Sequence, residues 1–127
     1  MEVILDTNAL SAVADADPDA LTRLRGAQIV AIPVVVLGEY LFGIAQSRRR
    51  KEYEAWVDGF IGDCRVLPVT AETAGRYAGL RLDLKRAGTP IPSNDLWIAA
   101  LCRQNSLPLL SRDRRFDAVT SIRRIHW

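Results

Sequence analysis

Histidine and cysteine are almost missing from this chain of 127 residues, which has one histidine, His126, and two cysteines, Cys64 and Cys102, far apart. A zinc site draws on several spaced Cys and His residues, so both structural and catalytic zinc are set aside. So few cysteines fit a reducing, cytosolic setting. Low-complexity tracts and internal repeats are also lacking. No apolar run is long enough to span a membrane. The longest, Ile29 to Ala45, is interrupted by Pro33, Gly38, Glu39 and Gly43. It falls short of the ~20 apolar residues that a spanning helix needs, and a carboxylate at mid-membrane would be costly. We read it as a buried strand followed by a buried helix. Met1 passes into Glu2 and a short apolar stretch with no basic leader, so no signal peptide and a cytoplasmic location are expected.

The net charge is only +2, but it is unevenly spread. Residues 1–63 carry 6 Lys+Arg against 10 Asp+Glu, and residues 64–127 carry 11 against 5. The basic half holds Arg103, Arg112, Arg114, Arg115, Arg123 and Arg124. Such a surface attracts polyanions, although a solvated surface explains the same count. With 49% hydrophobic and 25% charged residues, the chain has the composition of one soluble globular domain over residues 1–127.

Short apolar segments alternate with helical patterns. Glu2 to Leu5, Gln28 to Ile32, Arg65 to Val69, Leu107 to Leu110 and Ile122 to Ile125 read as strands. Between them, helices are expected over Thr7 to Ala16, from Pro18 to about Gly26, and from Pro33 through Ile44. Further helices are expected over the amphipathic stretch after Arg48 to Lys51, over Thr70 to Ala87, and from Ser93 onward. Thr70 and Ser93 suit N-caps. The third position after Thr70 is Thr73 rather than Glu or Gln, so no capping box is expected there. Gly88 suits a helix end. Asp113 to Ala118 reads as a turn or short helix. Strands alternating with helices imply an α/β domain around a mainly parallel sheet of about five strands.

Four carboxylates stand out. Asp6 and Asp113 directly follow the first and fourth strands, and open parallel sheets bind ligands beyond such ends. Either acid can instead cap the helix or turn that comes after it. Glu39 is the only charged side chain between Ala27 and Ser47. Burying a lone carboxylate costs several kcal/mol unless an Arg, a raised pKa or a cation compensates it; exposure at a helix edge is the other reading. Asp95 opens the apolar helix LWIAALC, where a negative charge also complements the helix dipole by about 0.3–1 kcal/mol. If the four share a crevice they repel one another strongly without a cation. Hard ions such as Mg²⁺ and Mn²⁺ favour oxygen ligands, and carboxylates are the only anionic ligands available here. Thr7, Asn8, Asn94 and Ser111 can orient the acids, or serve ordinary turns and caps.

Other residues carry less. Asp117 is a further ligand or a plain surface acid, and His126 is a terminal surface residue. Trp56, Trp97 and Trp127 form no recognisable stacking ladder and suit core or interface packing. The run Arg48 to Lys51 fits a solvated helix start or an RNA contact.

Together these residues resemble the PIN-domain ribonucleases, and specifically VapC-type toxins of type II toxin–antitoxin pairs. The resemblance lies in VILDTNAL from Val3 to Leu10, PVVVLGEYLFGI around Glu39, PIPSNDLWIAA around Asp95 and LLSRDRRFDAV around Asp113. It covers essentially the whole chain. It implies a three-layer α/β/α PIN-like fold and Mg²⁺- or Mn²⁺-dependent endonucleolytic cleavage of RNA. It also implies that Asp6, Glu39, Asp95 and Asp113 are the catalytic, metal-binding quartet, with Asp6 and Asp95 the most direct ligands. Ser111 stands where the family often has Thr. A homodimer and a cognate antitoxin whose C-terminal segment covers the groove are implied as well. Arg112, Arg114 and Arg115 are candidates for holding the RNA backbone. Two other readings compete. One is a phosphatase-like hydrolase with Asp6 as nucleophile, against which Asn8 stands where the haloacid dehalogenase pattern has a second Asp. The other is a non-catalytic module that docks a partner through an acidic groove.

Overall fold

The computed structural model describes residues 1–127. Its first strand, β1 (Glu2–Leu5), buries Val3, Ile4 and Leu5 completely. Strands so buried are expected at the centre of a parallel sheet covered on both faces. Four more come later in the chain: β2 (Ile29–Pro33), β3 (Arg65–Leu67), β4 (Leu109–Leu110) and β5 (Arg124–Ile125). They pair in the order β3-β2-β1-β4-β5, and every pairing is parallel. The sheet expected to be mainly parallel is therefore parallel throughout. Strand β1 has the expected bounds, β2 is shifted by one residue, β3 ends two residues early, and β4 and β5 begin two residues late.

Six helices connect the strands: α1 (Thr7–Ala14), α2 (Pro18–Leu24), α3 (Val34–Ala45), α4 (Arg50–Gly62), α5 (Ala71–Ala87) and α6 (Ser93–Asn105). Helices α1, α3 and α4 pack together, and α5 packs along α6. The latter pair is joined by Tyr77 stacked on Trp97, with centroids 4.1 Å apart. The result is the three-layer α/β/α architecture. One core holds Leu10, Val36, Val57, Leu84, Ile98, Leu101 and Phe116 with the strand residues. The tryptophans serve packing, as Trp56 stacks on Phe60 and Trp127 is buried beneath Arg112. No helix is long and apolar enough to cross a membrane.

Connectivity fixes where a site can form. The first three strands step outward in chain order, and the chain then returns to place β4 on the other side of β1. The connections on either side of β1 and β4 thus diverge, which opens a crevice beyond their carboxyl ends.

Three local expectations are corrected. Ser93 is the first residue of α6, after Pro92 at the cap position, and its hydroxyl lies 3.2 Å from the Tyr77 hydroxyl. At α5 the Thr73 hydroxyl accepts the Thr70 N–H at 3.0 Å, so a shorter side chain does the work expected only of Glu or Gln. Helix α3 is not buried all round. Val36, Tyr40 and Ile44 face the core at four-residue steps, while Phe42 is 71% exposed and Val34 and Leu41 are also exposed. Only one stripe of a helix can face a sheet, and it is the narrower part of the helical-spaced set Val36, Leu37, Tyr40, Leu41 and Ile44.

Candidate active site

Asp6 leaves β1 with its backbone extended and becomes the N-cap of α1, where one carboxylate oxygen accepts the Ala9 N–H at 2.8 Å. The capping alternative is thus correct as local structure, yet it does not use up the residue. Asp6 is 4% exposed and borders a cavity of about 530 Å³. The same cavity is bordered by Thr7, Asn8, Glu39, Asn94, Asp95 and Asp113. All four acids picked from sequence therefore meet in the crevice between β1 and β4. They come from four separate segments. Asp6 follows β1, Glu39 lies on α3, Asp95 is in the first turn of α6, and Asp113 precedes the 3-10 turn Arg114–Ala118 after β4. The N-termini of α1 and α6 border the cavity too, and the positive ends of their dipoles favour anions there.

Glu39 has no basic partner in any of the chain's ion pairs. It is half-buried, and its Oε1 accepts only the Thr7 hydroxyl, at 3.3 Å. A structural salt bridge is thereby removed as the explanation of Glu39. Thr7 orients an acid as expected. Ser111 is fully buried, and its Oγ accepts the Asp113 N–H at 3.0 Å, tying the two ends of the β4 turn. Asn8 and Asn94 are exposed at the cavity edge and orient no carboxylate.

The acids differ in electrostatic state. Burial pushes Asp6 above the usual carboxylate range; the Ser111 hydroxyl and Ala9 N–H oppose this, and the charges of Asp95 and Asp113 add to it. Burial also raises Asp95, against the pull of Arg115 and with the help of Asp113 and Glu39. Asp113 is lowered, mainly because the Arg115 side chain hydrogen-bonds its carboxylate.

Arg115 is the residue whose place the sequence does not reveal. By sequence it is a candidate for holding the RNA backbone. It borders the cavity itself, with Nη2 at 2.6 Å from Asp113 and 3.7 Å from Asp95. The signal is the two-residue spacing from Asp113, which a 3-10 turn folds back onto the carboxylate. Of the other two arginine candidates, Arg112 points elsewhere, 3.6 Å from Asp17 and stacked over Trp127, and Arg114 is exposed and does not border the cavity. Asp117 is outside the site as well, paired with Arg124 at 2.8 Å.

An oxygen-only donor set, four carboxylates in one crevice and two of them uncomfortable as anions, is chemistry that fits a hard divalent cation. As arranged, no three of the acids close around one ion-sized point. Arg115 is the cation that Asp95 and Asp113 share.

Comparison with known proteins places the chain in a family. Residues 3–121 match the PIN domain, a range that includes all four acids. The chain is 34% identical over 93 residues to Ribonuclease VapC5 of Mycobacterium tuberculosis, covering 71% of this chain and 68% of that relative. The solved structure of VapBC-5, a toxin–antitoxin system of the same organism, has a TM-score of 0.78 at 30% identity, covering 99% of this chain and 98% of that one. VapBC2 of Rickettsia felis, solved with a promoter DNA fragment, reaches a TM-score of 0.89 at 23% identity over 100% of this chain and 99% of that one, a likeness of fold alone. By sequence, by fold and by the convergence of its acids, the chain belongs to the PIN-domain family, with VapC ribonucleases among its relatives.

Proposed function

We propose that this protein is a Mg²⁺- or Mn²⁺-dependent endoribonuclease and the toxin of a toxin–antitoxin pair. The observation that carries the reading is the meeting of Asp6, Glu39, Asp95 and Asp113 in one polar cavity beyond the ends of β1 and β4. These four side chains would hold the cation. Asp6 and Asp95 gain most from it, because burial already disfavours their charge. When bound, the cation supplies Lewis acidity and charge neutralisation for in-line displacement at phosphorus. The protein's own part is positioning. The Ala9 N–H fixes Asp6, the Thr7 hydroxyl fixes Glu39, and the Ser111 hydroxyl holds the Asp113 turn. Water adds its oxygen to phosphorus, the bond to the leaving ribose oxygen breaks, and that oxygen takes up a proton. Arg115, exposed at the mouth of the cavity, would pair with a phosphate oxygen of the strand.

RNA as substrate and an antitoxin as partner are carried over from relatives named as ribonucleases and solved as toxin–antitoxin complexes. A homodimer is part of the same proposal. The test is Mg²⁺-dependent cleavage of total RNA by purified protein, beside Asp6→Asn and Asp95→Asn. Both substitutions should lower cleavage at least about a hundredfold. Equal cleavage by all three proteins would overturn the reading.

A further inference from the structure

A second cavity, of about 280 Å³, lies directly behind the acidic one. Thr7 and Glu39 border both, so the two cavities adjoin across the Thr7–Glu39 hydrogen bond. The far end of the second cavity is bordered by Ser47, whose hydroxyl accepts the Arg49 N–H at 3.1 Å, and the basic run Arg48 to Lys51 begins there. Arg49 and Arg50 are paired with Glu52 and Glu54, which leaves Arg48 and Lys51 without carboxylate partners. Ser47 on the cavity wall is followed in the chain by these free cations, so the cavity has the acidic site on one border and the start of the basic run on another.

Two features of the cavity are unexplained by folding, and a third supplies it with a carboxylate. The Tyr40 side chain is 3% exposed and borders the cavity, yet its hydroxyl has no hydrogen-bond partner. Native proteins seldom leave such a group unsatisfied. Gly43 sits inside α3, where glycine weakens a helix, although a Cβ there would meet nothing within 4 Å. Close packing does not require this glycine; its effect is to keep the cavity wall flat. Asp15 ends α1, where the helix dipole opposes a carboxylate. It borders the cavity and accepts the Tyr53 hydroxyl at 2.7 Å.

We propose that this second cavity seats a guanine base next to the reacting phosphate, a reading that rests on the nuclease function above. Asp15 can only accept hydrogen bonds, so the base must offer donors. Guanine alone among the four bases presents two adjacent N–H donors, N1–H and N2–H, that match the two oxygens of a carboxylate. The Ser47 hydroxyl on the cavity wall can donate to its O6. Unpaired bases are commonly read in this way, by hydrogen bonds along their edges with aromatic side chains beside them.

Binding and cleavage test this separately. Guanosine 5′-monophosphate is titrated into metal-free Asp6→Asn protein, followed by NMR of Gly43 and Tyr53, beside the three other nucleoside monophosphates. Guanosine monophosphate should bind about tenfold more tightly than the others, and Asp15→Asn should remove the difference. Gly43→Leu, which fills the cavity with a better helix former, should remove it in a stably folded protein. Equal binding of all four nucleotides overturns the guanine subsite whether or not RNA is cut. Cleavage of a random RNA pool by wild-type protein is read by sequencing the ends. Guanine enriched at one position beside the cut, and lost in Asp15→Asn, supports the subsite; ends indifferent to base overturn it and leave the nuclease reading intact. Selective guanosine binding with no cleavage of any RNA would overturn the nuclease reading alone.

Discussion

Nη2 of Arg115 stands 2.6 Å from Oδ2 of Asp113, while its Nε lies 3.0 and 3.1 Å from the two carboxylate oxygens. The guanidinium therefore approaches the carboxylate side-on, and the same Nη2 reaches Asp95 at 3.7 Å. An internal cation thus occupies the mouth of a site otherwise lined by acids. Because Arg115 is 60% exposed, water screens this pair and it adds little to folding. Its main effect is on what else can enter.

Arg115→Ala should therefore bind Mn²⁺ severalfold more tightly than wild type, as measured by calorimetry, with little change in melting temperature. Unchanged affinity would mean that the guanidinium and a metal ion do not compete for Asp95 and Asp113.

Asp6 opposes folding at neutral pH. Its pKa is raised by burial, so the folded chain holds the proton more tightly than the unfolded chain does. The opposition is complete above the raised value and fades as pH falls through it toward the ordinary Asp value. Asp6→Asn keeps an oxygen for the Ala9 N–H and removes the charge. It should melt roughly 3 °C higher than wild type at pH 7, with the gap narrowing toward pH 4. A gap that widens on acidification would contradict the sign.

Asp113 has the opposite sign. Its lowered pKa, caused chiefly by the Arg115 hydrogen bond, adds stability that is present above the ordinary Asp value and lost as pH falls through the folded value. Asp113→Asn should therefore lose stability slightly at pH 7 and match wild type at strongly acidic pH. Thermal melts across pH would read both residues.

Divalent metal should stabilise the folded chain even without RNA. At Mg²⁺ or Mn²⁺ about ten times its dissociation constant, linkage predicts roughly 1.4 kcal/mol, a rise of several degrees in melting temperature. Asp95→Asn should abolish most of that rise, and a chelator should reverse it in wild type. A melting temperature indifferent to metal would remove the quartet as a cation site.

Thr73 tests structure apart from chemistry. It is fully buried, accepts the Thr70 N–H and donates to Gln104 at 2.6 Å, joining the start of α5 to α6. Thr73→Val should lower unfolding free energy by about 1–3 kcal/mol in denaturant melts. Cleavage at permissive temperature should remain.

Much of the fold is legible in the sequence because short-range physics decides it. Buried strands such as Val3 to Leu5 are apolar without interruption, Pro18 opens α2, and Gly88 takes the left-handed conformation that ends α5. Sequence misleads where a residue's partner is distant. Ser93 looks like a cap, and its hydroxyl turns instead to Tyr77 on another helix. In the run after Pro33, helical spacing marks Val36, Leu37, Tyr40, Leu41 and Ile44, and only packing against the sheet and α1 decides that Val36, Tyr40 and Ile44 go fully inward while Leu41 stays exposed.

The four acids are of unequal interest as sequence. Sequence determines that Asp6 and Asp113 follow strands, that Asp95 opens a helix, and that Glu39 stands alone among apolar neighbours, since each fact depends only on nearby residues. Tertiary structure decides that the four share one cavity, because strand order places β4 beside β1 and turns their carboxyl ends into one crevice. It also decides that Arg115 enters that crevice while Arg112 pairs with Asp17, and that Tyr40 and Asp15 border a second cavity next to it. These are relations between segments far apart in the chain, and they exist only once the sheet has brought those segments together.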